Sequence, residues 1–134
     1  MGATGPSAPV TGLPLDAGAL IAIERGDRRM IALLQEALRK RLRLRVPAGV
    51  IGQAWRDGRR QTTLTRFFKT REVEVHTLDA QLARAAGELC GVAGTKDVID
   101  ATVVLAARPT ADVVVTGDPD DILKLDPTIR VERI

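Results

Sequence analysis

Hydrophobic and polar positions along the chain switch repeatedly between a period of two and a period near 3.6, and each switch marks a change of element. Leu13-Pro14-Leu15-Asp16 reads as a short strand, and Ala19, Leu20 and Ile23 follow with helical spacing over residues 17–25, where Asp16 can cap the helix. Residues 27–41 form a strongly amphipathic helix, with Met30, Ile31, Leu33, Leu34 and Leu38 on one side and Arg28, Arg29, Glu36, Arg39 and Lys40 largely on the other. Residues 42–46 alternate as a strand, and Pro47 suits the first turn of a helix carrying Val50, Ile51, Gln53, Ala54 and Trp55.

The spacing predicts a helix over 60–69, a strand over 72–77 and a helix over 78–89, with Gly87, Gly91 and Gly94 weakening and ending the last. Thr95 is placed to cap a helix over 96–107, closed by Pro109. An apolar strand over 112–116, a one-turn helix over 120–125 and a strand over 129–134 complete the chain. Strands alternating with helices in this way predict an α/β fold, a three-layer α/β/α sandwich around a mainly parallel sheet. Residues 1–12, rich in Gly, Pro, Ala and Thr, read as a flexible N-terminal extension, and residues 13–134 as a single domain.

Length supports one core: 134 residues suffice for one compact domain and not for two ordinary ones. No apolar run reaches the roughly 20 residues that span a bilayer, and the N-terminus lacks the charged-then-apolar order of a secretory signal. The expectation is a cytoplasmic protein with no membrane partner. A lone cysteine, Cys90, and a lone histidine, His76, rule out an internal disulfide and a Cys/His zinc site. Cys90 lies on an apolar helix face and reads as buried filler; His76 falls in an alternating run and reads as a strand residue.

Charge is unevenly spread. Residues 1–71 hold 14 Lys/Arg against 5 Asp/Glu, whereas residues 72–134 hold 6 against 12. A basic half beside an acidic half suits a protein that attracts a polyanion with one part and binds divalent cations with the other. Arg25, Arg28, Arg56, Arg59 and Arg60 are the candidates for holding the phosphates of such a polyanion; solvated helix faces are the plainer reading of any one of them.

In open parallel sheets the functional crevice lies beyond the carboxyl ends of the strands. Asp16 ends the first strand, Asp118 follows the strand Val113-Val114-Val115, and Asp97 and Asp100 share a face at the start of the helix after Thr95. Asp16 also serves as a cap, and Asp97 equally fits simple stabilisation of a helix N-terminus. Asp100 is flanked by Val98, Ile99, Ala101, Val103 and Val104, where a carboxylate is costly unless paired or metal-bound. Clustered carboxylates repel one another, and a hard cation such as Mg²⁺ or Mn²⁺ relieves the repulsion and suits phosphodiester cleavage.

Four segments, L-D-A-G-A-L-I-A-I-E-R-G-D, V-P-A-G-V-I-G-Q-A-W-R, T-K-D-V-I-D-A-T-V-V-L-A-A and V-V-V-T-G-D-P-D-D-I, resemble in order the signature blocks of PIN-domain ribonucleases, in particular VapC-type toxins of VapBC toxin–antitoxin systems. The resemblance covers residues 13–125. It implies a PIN-like sandwich, a Mg²⁺- or Mn²⁺-dependent endoribonuclease, inhibition by a cognate VapB-like antitoxin, and a homodimer. It places the family's first, third and fourth acids on Asp16, Asp100 and Asp118 as metal ligands and catalytic groups. Asp97 matches an additional acid of some members, and Asp121 is a lesser candidate beside the fourth block.

The second acid, usually a glutamate, aligns with Gln53, whose neutral carbonyl oxygen can still approach a metal but carries no charge. This departure favours one alternative, a catalytically weakened or inactive PIN domain that only binds RNA or an antitoxin. Two other motifs carry less. The run Gly91 to Lys96 lacks the spacing of a phosphate loop, and the D-x-D of Asp118-Pro119-Asp120 is not accompanied by the further motif that another Mg²⁺ phosphohydrolase would need.

Overall fold

The computed structural model describes residues 11–134. Its elements run in the order β1 (Gly12–Pro14), α1 (Ala17–Glu24), α2 (Arg28–Arg39), β2 (Arg43–Pro47), α3 (Ala48–Ala54), α4 (Thr62–Phe68), β3 (Val73–His76), α5 (Ala80–Ala93), α6 (Val98–Ala107), β4 (Val113–Thr116), α7 (Pro119–Leu125) and β5 (Arg130–Arg133). The expected N-terminal extension lies outside the described residues except for its end. There Gly12 opens β1, and the Thr11 and Gly12 amides donate to the Asp112 carboxylate.

β1, β2 and β3 pair in parallel, as do β4 and β5. A bridge between Leu15 and Val115 joins the two groups, so the strands lie in the order β3-β2-β1-β4-β5. Every connection is a helical crossover, as parallel neighbours require. Because the chain winds one way from β1 to β3 and the other way through β4 to β5, the carboxyl ends of β1 and β4 flank the point where the order reverses.

On one face α6 packs against β1, β2 and β4 with α5 and α7 outside it, while α1 contacts β4 and gathers α2, α3 and α4 on the other. This central place explains the composition of α6: Ala101, Thr102, Val103, Val104 and Ala107 are buried. Leu15, Leu20, Ile23 and Val46 close the core between the layers, each 0–1% exposed. Burying a side chain of this size contributes about 1.5–3 kcal/mol, so the sandwich is held mainly by aliphatic packing. Cys90 is buried in this core, and Trp55 is half-buried against Phe68 with ring centroids 6.1 Å apart.

Two boundaries differ from expectation. α5 continues through Gly87 and Gly91 to Ala93 and stops at Gly94, whose φ of 75° is the left-handed conformation that glycine tolerates. Ala86 and Cys90 anchor its inner face, and that packing outweighs the glycines' poor helix propensity. α6 begins at Val98 with Asp97, not Thr95, as its cap residue; the Thr95 hydroxyl instead donates to the Asp97 carboxylate.

Candidate functional site

A cleft of about 540 Å³ opens where the strand order reverses, lined by Asp16, Ala17, Gly18, Gln53, Arg56, Asp100, Gly117 and Asp118. Asp16 arrives from the end of β1 and caps α1, its Oδ1 accepting from the Ala19 amide at 2.9 Å. Its Oδ2 accepts from the Thr116 hydroxyl, and the Gly117 amide lies 3.4 Å from Oδ1. Thus Asp16 is buried and fixed in orientation, yet three donors leave part of the roughly four lone-pair sites of a carboxylate unused.

Thr116, at the end of β4, holds two acids at once: its Oγ1 also accepts from the Asp118 amide at 2.8 Å. Sequence reasoning missed this residue, although a hydroxyl two positions before an acid at a strand end is a readable signal in T-G-D. Gly18 and Gly117 make the close approach possible. A Cβ on Gly18 would sit 2.9 Å from the Gly117 Cα, so any side chain there would push α1 away from the turn after β4.

Asp100 comes from the first turn of α6 and is half-buried. Burial pushes its carboxyl up to about 6, and the negative charges of Asp16, Asp97, Asp121 and Asp118 add to the effect. Asp97, Asp100 and Asp121 form a second grouping, with one carboxylate oxygen from each within 4.8 Å of the others. Asp121 is likewise raised, by burial first, then by the charge of Asp118 and a hydrogen bond shared with it. Asp100 therefore belongs both to the cleft and to this trio, and all five candidate aspartates gather at one end of the sheet. Burial, with Asp97 and Asp100 adding, also raises the Cys90 thiol, which suits packing rather than nucleophilic chemistry.

Gln53 lines the cleft from α3, and Arg56 lines it from just beyond the end of that helix. The Arg56 guanidinium donates to the carbonyls of Gly52 at 3.0 Å and Trp55 at 2.8 Å, which pins it at the end of α3. Gln61 fixes the same turn by accepting from the Arg56 and Asp57 amides and donating to the Ala54 carbonyl. That brace also escaped the sequence reading. Arg25, Arg28, Arg59 and Arg60 are exposed and do not line the cleft; Arg60 faces Asp57 at 3.7 Å.

The donor set fits a hard divalent cation. Every acidic ligand present is a carboxylate, Gln53 offers a further oxygen, and Asp100, raised first by burial and then by the neighbouring carboxylates, is a group whose charge a cation would offset.

No family model matches the chain, and no curated protein matches it. Among solved structures it is similar to VapBC2 from Rickettsia felis bound to a DNA fragment from its promoter, with a TM-score of 0.64 at 17% identity over 90% of this chain and 97% of the other. It is also similar to FitAB bound to the IR36 DNA fragment, with a TM-score of 0.63 at 13% identity over 90% of this chain and 94% of the other. FitAcB from Neisseria gonorrhoeae gives a TM-score of 0.59 at 14% identity over 89% and 95%. The chain shares the fold of these solved structures.

Proposed function

From the PIN-like fold as premise, we propose that the chain is a Mg²⁺- or Mn²⁺-dependent endoribonuclease and the toxin half of a type II toxin–antitoxin pair. The observation that carries the reading is the convergence of Asp16, Asp100 and Asp118 on one cleft at the switch point, with Asp97 and Asp121 beside them. These carboxylates would hold a divalent cation, which when bound would supply positive charge beside a phosphodiester and make a water molecule more acidic. Asp16, oriented by Thr116 and the start of α1, gives the site a rigid oxygen ligand. Asp100, with its carboxyl near 6, is mostly ionised at neutral pH and so free to take a cation, whereas protons compete for it below about pH 6. Arg56, anchored through Nη1, keeps its remaining N–H donors for a phosphate oxygen. Neighbours crystallised as VapBC2 and FitAB assemblies support a VapB-like antitoxin as partner.

RNA cleavage tests this reading. A structured RNA is cut with Mn²⁺ or Mg²⁺ present, cutting stops with a chelator, and Asp100→Asn lowers the rate by at least about a hundredfold if Asp100 acts at the reacting centre. Cleavage that persists with chelator, or an undiminished Asp100→Asn, contradicts it. Gln53→Glu restores a charge at a nearly isosteric position and is expected to tighten Mn²⁺ binding and raise the rate. Metal binding by the wild type without cleavage under any condition favours the second reading, a PIN domain that binds without cutting, for which the neutral Gln53 is the specific reason.

A further inference from the structure

A second concave site lies on the opposite edge of the sheet from the acidic cleft. Arg43 opens β2 and Arg71 precedes β3, and with Arg41, Leu38 and Glu72 they line a pocket of about 480 Å³. None of the three guanidinium groups lies within ion-pair distance of a carboxylate among the described residues. Glu72 offsets one charge and leaves a net of two positive charges lining the pocket. All three arginines are exposed, so water screens their mutual repulsion and leaves their donors open to an anion that reaches them together.

The backbone supplies an independent observation. Arg41 follows α2 with φ of 58°, the left-handed conformation that strongly favours glycine at a helix end. Its amide donates to the Leu38 carbonyl at 3.1 Å, and the Leu42 amide to the Ala37 carbonyl at 2.9 Å, so this turn ends the helix. The chain uses glycine for the same conformation after α1 (Gly26) and within the cap of α5 (Gly94); only Ala111 is a second exception among the described residues. At Arg41 a strained residue stands where glycine would be favoured, and its side chain lines the pocket with two other arginines. Strain retained at a charged cluster points to a ligand.

The geometry points to a phosphate-binding pocket formed by Arg41, Arg43 and Arg71. Planar guanidinium forks match phosphate oxygens bidentately, and three of them carry more donors and charge than one carboxylate satisfies. A terminal phosphomonoester or successive phosphodiesters of a strand fit, so the phosphate belongs either to a mononucleotide or to a nucleic-acid backbone. This inference stands apart from the nuclease reading, because it concerns binding on the other edge and needs no metal.

The test is amide NMR of the full chain in EDTA, titrated with adenosine 5′-monophosphate, with a single-stranded oligothymidylate that a ribonuclease does not cut, and with an oligoglutamate peptide. Shifts centred on residues 41–44 and 71–73 with the mononucleotide support a small phosphate ligand; shifts there only with the oligonucleotide support a strand. Arg41→Gly relieves the backbone strain, so its melting temperature is expected to hold or rise while phosphate affinity falls about tenfold. Arg71→Gln, outside the helix-ending turn, is expected to weaken binding similarly. Unchanged affinity in both variants, shifts centred elsewhere, or tighter binding of the peptide than of either phosphate probe overturns the proposal.

Discussion

Asp16 and Asp112 are both buried aspartates at strand ends, and their neighbours assign them opposite tasks. Asp112 faces Arg45 in an ion pair and accepts from the Thr11 and Gly12 amides, so it ties the amino ends of β1 and β4 to the middle of β2. Asp16 keeps lone-pair capacity toward the cleft. From sequence, Asp100 stood out because valines and alanines surround it; Asp112 did not, because its partners lie up to 101 positions away along the chain. Thr116 stayed hidden in part for the same reason, since Asp16 lies 100 positions away; Gln61 has close partners, but they are backbone groups that no side-chain pattern displays. Asp100 leads to a measurable consequence. Its carboxyl rises from 3.8 to about 6 in the folded state, which therefore holds that proton more tightly than the unfolded chain. The associated stability is complete below about pH 4 and is lost as pH rises through 6. In EDTA, Asp100→Asn is expected to stabilise the protein at pH 7.5 by on the order of 1 kcal/mol, the half-exposed site being screened by solvent, and to have little effect near pH 4. Thermal melts at the two pH values check this; an equal effect at both contradicts it.

At the scale of elements, the periodic signal identified the strands and α-helices of the described residues in order, because each buries one face against the sheet or against a helix that covers it. Ends were less legible. A helix stops where packing and capping stop, so α5 outlasted two glycines and α6 started three residues after the hydroxyl expected to cap it. The same observation predicts a gain. Gly87 is exposed in the middle of α5, and a Cβ there would meet nothing within 4 Å. Gly87→Ala is expected to stabilise by about 0.5–1 kcal/mol, since alanine has fewer unfolded conformations to lose. Chemical denaturation measures it directly, and no change in midpoint would mean that α5 is held wholly by its inner face.

Across the whole molecule, alternation of strands and helices foretold a parallel sandwich but not the order of its strands, since a hydrophobic period does not say which strand lies beside which. That order brings Asp16 and Asp118, 102 positions apart in sequence, to one crevice. The charge asymmetry between the halves was legible, yet its layout was not. Arg29 pairs with Glu132, Arg39 with Glu36 and Arg45 with Asp112, and of the five arginines expected to flank the acids only Arg56 lines the cleft. None of the described helices is long and apolar enough to cross a membrane.

The account turns on one claim, that the carboxylates at the switch point bind a divalent cation, and paramagnetic Mn²⁺ reads its location residue by residue. Substoichiometric Mn²⁺ added to the ¹⁵N-labelled protein is expected to broaden first the amides of Ala17, Gly18, Asp100, Gly117 and Asp118, to spare residues 41–44 on the opposite edge, and to lose this selectivity in Asp16→Asn. Broadening centred away from the cleft, or identical in Asp16→Asn, would contradict the account.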